Sequence, residues 1–301
     1  MFKNAIIYRI STLAATLDQV EAALQKAQFA ACGATQEKSA GFVPPRGEAN
    51  GALVESVGGQ WIARFMTESK QIPGAVLARK VEEKAARIEA ETGRKPGKKE
   101  TRELKSEAML DLLPMAFTRQ VSTWAWIDRQ ASTLLIDTGS QAKADEVVSA
   151  LVEALALPGL VLALLDVQTS PQTAMAHWLK EQEAPVGFSV DRECELRAAD
   201  ESHAVVRYGH HPLDIAEVRA HIEGGKLPTR LALTWDDRVS FVLTDALQLK
   251  KISFLDSVFE QTSPDESGFD ADVAIATGEL SKLIPDLVKA LGGDARTADP
   301  S

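Results

Sequence analysis

The chain has 301 residues, 45% of them hydrophobic and 25% charged, with a formal net charge of −10 at pH 7. That length allows one large domain or two ordinary ones, with the composition of a soluble globular protein. As a sum, the acidity argues against nucleic acid, whose non-specific binding comes from phosphate neutralisation by Lys and Arg, but where the charges sit decides the matter.

Residues 2–10 alternate loosely and read as a strand. From Thr16 to Ala30 the spacing of Leu17, Val20, Leu24 and Ala27 predicts a helix stopped at Cys32-Gly33. The two prolines of GFVPPRG, 41–47, predict a loop. Strands are expected at 52–57 and 60–67 around a Gly58-Gly59 turn. A helix follows over 74–92, with a stripe of Leu77, Val81, Ala85 and Ile88 and an i,i+4 pair of Glu83 with Arg87. Pro96 and two glycines interrupt it, and a second helix resumes near Lys99 and ends at Pro114. The narrow apolar stripes predict a helical hairpin that projects from the body as a finger, at about 73–114.

Strands are then expected at 119–128 and 133–138, a helix at 142–156, a buried strand at 159–167 and a helix at 171–182. Further strands are placed at 187–190 and 204–208, a helix at 213–223, and strands at 229–235, 238–244 and 248–254, with Asp236-Asp237 as a tight turn. A strand at 271–276 and a helix at 280–291 close the chain before Gly292-Gly293. The mixed order predicts an α+β fold, with an N-terminal lobe over 1–165 that carries the finger, a C-terminal lobe over 166–295 and a loose tail from Asp294, clearest at 296–301.

The residues between 79 and 105 include ten Lys/Arg and six Glu, a net +4 inside an acidic chain. Five cations (Arg94, Lys95, Lys98, Lys99 and Arg102) fall within the ten residues GRKPGKKETR. This is no phosphate loop: only three residues separate Gly93 from Gly97, Lys99 stands where a hydroxyl belongs, and a helix precedes it. Two readings remain, a solvated hairpin and a basic finger that meets backbone phosphates while the acidic body stays away.

Other constellations are weaker. Cys32 and Cys194 lie in no metal-type spacing, which fits buried, inert thiols in a reducing compartment. MFKNAIIYRI is too short an apolar run for a signal peptide, and Leu160–Leu165 is too short to span a bilayer, so a cytosolic protein is expected. His210-His211, with His203 upstream, read as a surface loop before Pro212, and His177 and His221 as structural. Asp270 and Asp272 share one strand face, the geometry of a Mg²⁺ pair, but no third acid or nearby Lys completes it. Trp124 and Trp126 share a strand face, spaced to stack bases or, more commonly, to pack a core. No G-x-S-x-G, H-E-x-x-H or G-x-G-x-x-G is present, and no cofactor is expected.

Dispersed motifs then match one family in order. They are Phe2-Lys3-Asn4 with Tyr8-Arg9, GFVPPRG at 41–47, Leu113-Pro114 with Ala116-Phe117, and Trp126-Ile127-Asp128. Further on come HIEGGK at 221–226, LALTWDDRVSFVL at 231–243, FDAD at 269–272, TGELSKLI at 277–284 and ALGG at 290–293. End to end, the chain resembles the recombination-associated RdgC family. The resemblance implies a ring-shaped homodimer with a positive central hole for double-stranded DNA, with single-stranded DNA as a further ligand. It implies no catalytic centre, nucleoid association, and limitation of RecA recombinase access to DNA. It places a DNA-contacting arginine at Arg94 and an aromatic of the openable subunit contact at Phe117. It also places DNA contacts at His210 and His211, where better-known relatives carry a Lys and a Gln. The competing expectations are an acidic protein that binds a recombination enzyme directly, and a Mg²⁺-dependent nuclease built on Asp270 and Asp272.

Overall fold

The structure is a computed structural model and describes residues 1–259 and 268–297. The elements in chain order are β1 (Ile6–Ile10), α1 (Leu17–Lys26), β2 (Lys38–Val43), β3 (Val54–Val57), β4 (Gln60–Gln71), α2 (Gly74–Thr92), α3 (Lys98–Leu112), β5 (Phe117–Asp128), β6 (Thr133–Ile136), α4 (Gln141–Leu155) and β7 (Leu162–Leu164). There follow α5 (Pro171–Glu181), β8 (Phe188–Ala198), β9 (Val205–Gly209), α6 (Ala216–Glu223), β10 (Lys226–Trp235), β11 (Val239–Thr244), β12 (Leu249–Phe254), α7 (Asp256–Phe259) and α8 (Phe269–Ala290). The class is α+β, as expected. No helix of the described residues is long and apolar enough to cross a membrane.

The first sheet is antiparallel with seven strands, ordered β2-β4-β5-β6-β1-β7, with β3 continuing β2 along the same edge of β4. One face, carrying Tyr8, Phe42, Trp61, Phe65, Ile127 and Ile136, is covered by Val20 and Leu24 of α1 and by Ala144, Val147 and Leu151 of α4. The second sheet is an antiparallel five-stranded sheet, β12-β11-β10-β8-β9. Its core face holds Leu231, Leu233, Trp235, Phe241 and Leu243 against α5, α6 and α8. The two sheets share that core: Ile7, Ile62, Trp126 and Leu135 of the first, with Phe2 just before it, belong to the same buried cluster. Backbone hydrogen bonds join them as well, Ala5 N–H to Leu249 O at 2.8 Å, Leu249 N–H to Ala5 O at 3.0 Å and Ile252 N–H to Lys3 O at 2.9 Å.

The expected strand at 271–276 is corrected to helix. Val273, Ala276, Thr277 and Leu280 are buried at helical spacing within the 22-residue α8. Phe269 of α8 meets Trp124 of the first sheet with ring centroids 6.0 Å apart. The Arg238 guanidinium makes two 2.7 Å hydrogen bonds to Glu279, and Trp235 Nε1 donates to Asp286 at 2.9 Å, so α8 ties both sheets together. Burial raises a lone carboxyl, yet the Arg238 bonds dominate and hold Glu279 below the usual carboxylate range.

Other boundaries move for local reasons. Residues 2–5 belong to the joint between sheets, so β1 begins at Ile6. The first helix ends at Lys26, because Gln28 and Phe29 leave it to bridge Phe42. That bridge also turns 41–43 into strand, so only Pro44-Pro45 end β2. The close crossing explains Gly41: a Cβ there would lie 2.6 Å from the Phe29 backbone. The buried strand at 159–167 shrinks to three residues, whereas the strand at 187–190 extends to Ala198. Cys194 is buried, and burial pushes its thiol up to about 12; Cys32 is only half-buried, which corrects that expectation. The segment from Asp294 is not loose at its start: Arg9 Nε donates to Asp294 at 2.8 Å, and 295–297 form a 3-10 turn. Residues 298–301 of the expected tail lie outside the described residues.

Candidate nucleic-acid interface

Strands β4 and β5 pair without a break from Trp61↔Ile127 to Gln71↔Phe117 and lead directly into α2 and α3. The sequence expectation for the two helices holds closely. Gly93 ends α2 with φ +71, a left-handed conformation that a Cβ disfavours, and its N–H donates to Glu89 O at 2.8 Å. Pro96 and Gly97 form the turn, and Gly97 O accepts from Thr101 N–H, starting α3. No residue of α2 is buried, and α3 buries only Leu104 and Ala108. Where the helices face each other, Lys84 Nζ lies 3.2 Å from Glu107 and 3.0 Å from Asp111, and those carboxylates raise its pKa. Glu83 pairs backwards with Arg79 at 3.7 Å and Lys80 at 3.9 Å, not with Arg87 as expected.

At the turn, Arg94 donates two 2.7 Å hydrogen bonds to Glu100, and Glu100 also accepts from Gly97 N–H at 2.9 Å. The Arg94 bonds, then the Gly97 N–H, hold the Glu100 carboxyl down at about 2. Arg94 is therefore a clasp across the turn, with its charge matched locally. Lys95, Lys98, Lys99 and Arg102, with Arg87 and Lys105, are exposed and make no ion pair among the described residues. The arrangement gathers exposed cations at the turn between two largely exposed helices, suited to phosphate contact.

Four apolar side chains lie exposed at the root of the arm: Val76, Leu110, Met115 at 74% and Phe117 at 86%. Phe117 opens β5 immediately after the 3-10 turn of Leu113–Met115. Exposure on this scale is uncommon for Phe.

His210 and His211 follow β9 on the second sheet, exposed, with His210 at φ +54. His211 Nδ1 lies 2.7 Å from Pro212 O, a contact in which the carbonyl accepts from the ring N–H. Both residues lie on a different sheet from the hairpin.

They adjoin a surface that the sequence alone does not reveal. Strands β8–β12 carry seven Lys/Arg and three Asp/Glu. On the face opposite the core, Arg197 and Arg207 both pair with Glu195, at 3.4 and 2.7 Å, and Lys251 pairs with Glu193 at 2.7 Å. Arg230, opposite Glu195 in the ladder, and Lys250 make no ion pair among the described residues. Glu193 is the ladder partner of Gly209, one residue before His210. These cations are spread over four strands and meet only through strand pairing.

Asp270 and Asp272 sit on a helix, where two-residue spacing sends them to different sides. Asp270 is bonded to Arg46 at 2.6 Å, and the Arg46 guanidinium also lies 4.8 Å over the Phe269 ring. The shared strand face expected for a Mg²⁺ pair does not exist. No group of three or more His, Cys, Asp or Glu able to hold a metal occurs among the described residues. Trp126 is buried, 6.1 Å from Phe2, and its Nε1 donates to Gln60 at 2.8 Å. Trp124 is sandwiched between Arg64 and Phe269, so both tryptophans pack.

Known proteins share this chain nearly end to end. A family model described as "Putative exonuclease, RdgC" matches residues 1–294. The recombination-associated protein RdgC of Dechloromonas aromatica (strain RCB) is 42% identical over 97% of this chain and 98% of its own. The protein of the same name from Cupriavidus pinatubonensis is 44% identical over 98% and 99%, and that from Bordetella pertussis 41% identical over the same shares.

Proposed function

Because the chain belongs to the RdgC family, we propose that it is a non-enzymatic, sequence-independent binder of double-stranded DNA. In this reading it works as a homodimer closed into a ring around the duplex, resides on the nucleoid, and limits RecA recombinase access. Single-stranded DNA is a further ligand. The observation that carries the proposal is the hairpin tip, where four unpaired cations stand exposed on a chain of net charge −10. Duplex DNA presents about one charge per 1.7 Å, so clustered cations gain by displacing its counterions while an acidic exterior is repelled. The hairpin serves as a finger of the N-terminal lobe, the C-terminal lobe's cationic sheet face with His210 and His211 as a second contact, and the Phe117 patch as the openable subunit contact.

Salt titration of duplex binding tests this. The K95A/K98A/K99A/R102A variant weakens binding and flattens the slope of log K against log salt by roughly one for each phosphate that is no longer neutralised. A slope identical to wild type refutes finger contacts. Capture of a recombination enzyme without DNA would favour the acidic-partner reading instead.

The family description lends the nuclease reading its support, and the Arg46 bond to Asp270 weighs against the carboxylates considered for it. Plasmid incubated with Mg²⁺ and the purified protein stays intact under our proposal.

A further inference from the structure

A cleft of about 550 Å³ opens on the first sheet where α4 stops covering it. Its floor follows strand register. Across β2, β4 and β5 run the rows Phe42–Phe65–Thr123, Ala40–Thr67–Val121 and Lys38–Ser69–Arg119. Alternation puts these side chains on one face, with apolar residues beneath α4 and hydroxyls and cations beyond it. The N-terminus of the 15-residue α4 forms the other wall.

Three observations point to one kind of ligand. First, Ser140 makes no side-chain cap and the first turn of α4 carries no acid, so the positive end of the helix faces the cleft uncompensated. Second, Arg119 and Lys143 line the cleft with no ion pair among the described residues. Glu146 is the one acid there, and it is occupied by Lys38 at 2.6 Å. Third, Thr123 is only 8% exposed and lines the cleft, yet its hydroxyl makes no hydrogen bond among the described residues. That hydroxyl opens on the cleft, where it is free to donate to an occupant.

We propose that this cleft is a phosphate-binding site, in which Arg119, Lys143 and the α4 amide end hold the anion and Thr123 donates to it. The phosphate comes either from a nucleic-acid backbone or from a free ligand, a nucleotide or inorganic phosphate. The site is separate from the hairpin tip and does not depend on the finger reading.

Calorimetric titration with inorganic phosphate, at ionic strength matched with chloride, tests it. Wild type binds saturably. Arg119→Gln with Lys143→Gln weakens binding roughly ten-fold or more, the worth of a charge-assisted hydrogen bond. Thr123→Val weakens it without changing charge, and Glu146→Gln strengthens it by releasing Lys38. The K95A/K98A/K99A/R102A variant binds phosphate like wild type. Displacement of phosphate by a short duplex identifies the backbone as the source; retention identifies a free ligand. No saturable binding, or binding equal to wild type in the Arg119/Lys143 variant, overturns the site.

Discussion

Individual side chains here do two kinds of work, and the ion pairs separate them. Arg238 and Glu279 are mostly withdrawn from water and join the second sheet to α8. Removing one partner of such a pair strands the other, which costs about 3–5 kcal/mol when both are well buried. We expect Arg238→Ala to lose about 3 kcal/mol in urea denaturation, and Arg238→Ala with Glu279→Leu to recover part of it. Gly41→Ala should cost about 2 kcal/mol by the same measurement, since the Phe29 backbone cannot yield to a side chain. The Arg94–Glu100 clasp is exposed and acts on local order. Its carboxyl is depressed from the ordinary value near 4 to about 2. The clasp is therefore fully present above the ordinary carboxylate value and is lost as pH falls through about 2. The Gly97 amide reports this directly: its proton shift should titrate with a midpoint near 2, and a midpoint above about 4 would show that the clasp does not form in solution.

At the level of elements, the hairpin was the most legible part of the chain. Pro96 between two glycines and the stripes of Leu77, Val81, Leu104 and Ala108 marked its arms and its turn. The turns at Gly58-Gly59 and Asp236-Asp237 were equally plain, since each sets strand pairing by local conformation alone. Failure came where tertiary contacts decide. Val273, Ile275 and Thr277 are β-branched at two-residue spacing, a pattern that strand and helix share over so short a run. Burial between two sheets selects the 273, 276, 277, 280 spacing instead. The cationic face of the second sheet and the α4 cleft were invisible for a related reason, because Lys38, Arg119 and Lys143 become neighbours only once the ladders are in register. Arg94 illustrates the limit within the best-read element. Its position was evident, but Glu100, six residues on, engages both terminal guanidinium nitrogens. The Gly93→Ala variant follows from the same element: a side chain at φ +71 costs roughly 1–2 kcal/mol of hairpin stability. It should appear as faster amide exchange in α2 and α3, with the exchange of α8 unchanged.

For the whole molecule, the proposed ring hangs on an exposed apolar patch. Phe117, with Met115 beside it, has the character of an interface anchor, and such anchors commonly carry about 2 kcal/mol or more. Phe117→Ala should weaken self-association roughly 30-fold, read as a shift of the monomer–dimer midpoint in sedimentation equilibrium. An unchanged midpoint would move the openable contact elsewhere. Two positive surfaces, one on the hairpin and one on the second sheet, stand on a molecule that is otherwise strongly acidic. Such segregation lets association with a polyanion coexist with mutual repulsion between free copies.

The placement of α8 has an outcome for the protein's birth. The helix that fills the seam between the sheets is translated after every strand it covers. Until it clears the ribosome's exit tunnel, the cluster shared by Ile62 and Trp126 on one side and Leu233 and Trp235 on the other lacks Val273, Leu280, Leu283 and Leu287. A nascent chain of this protein therefore emerges with its seam open and closes late. A stop codon just short of α8 removes the last wall of the shared core.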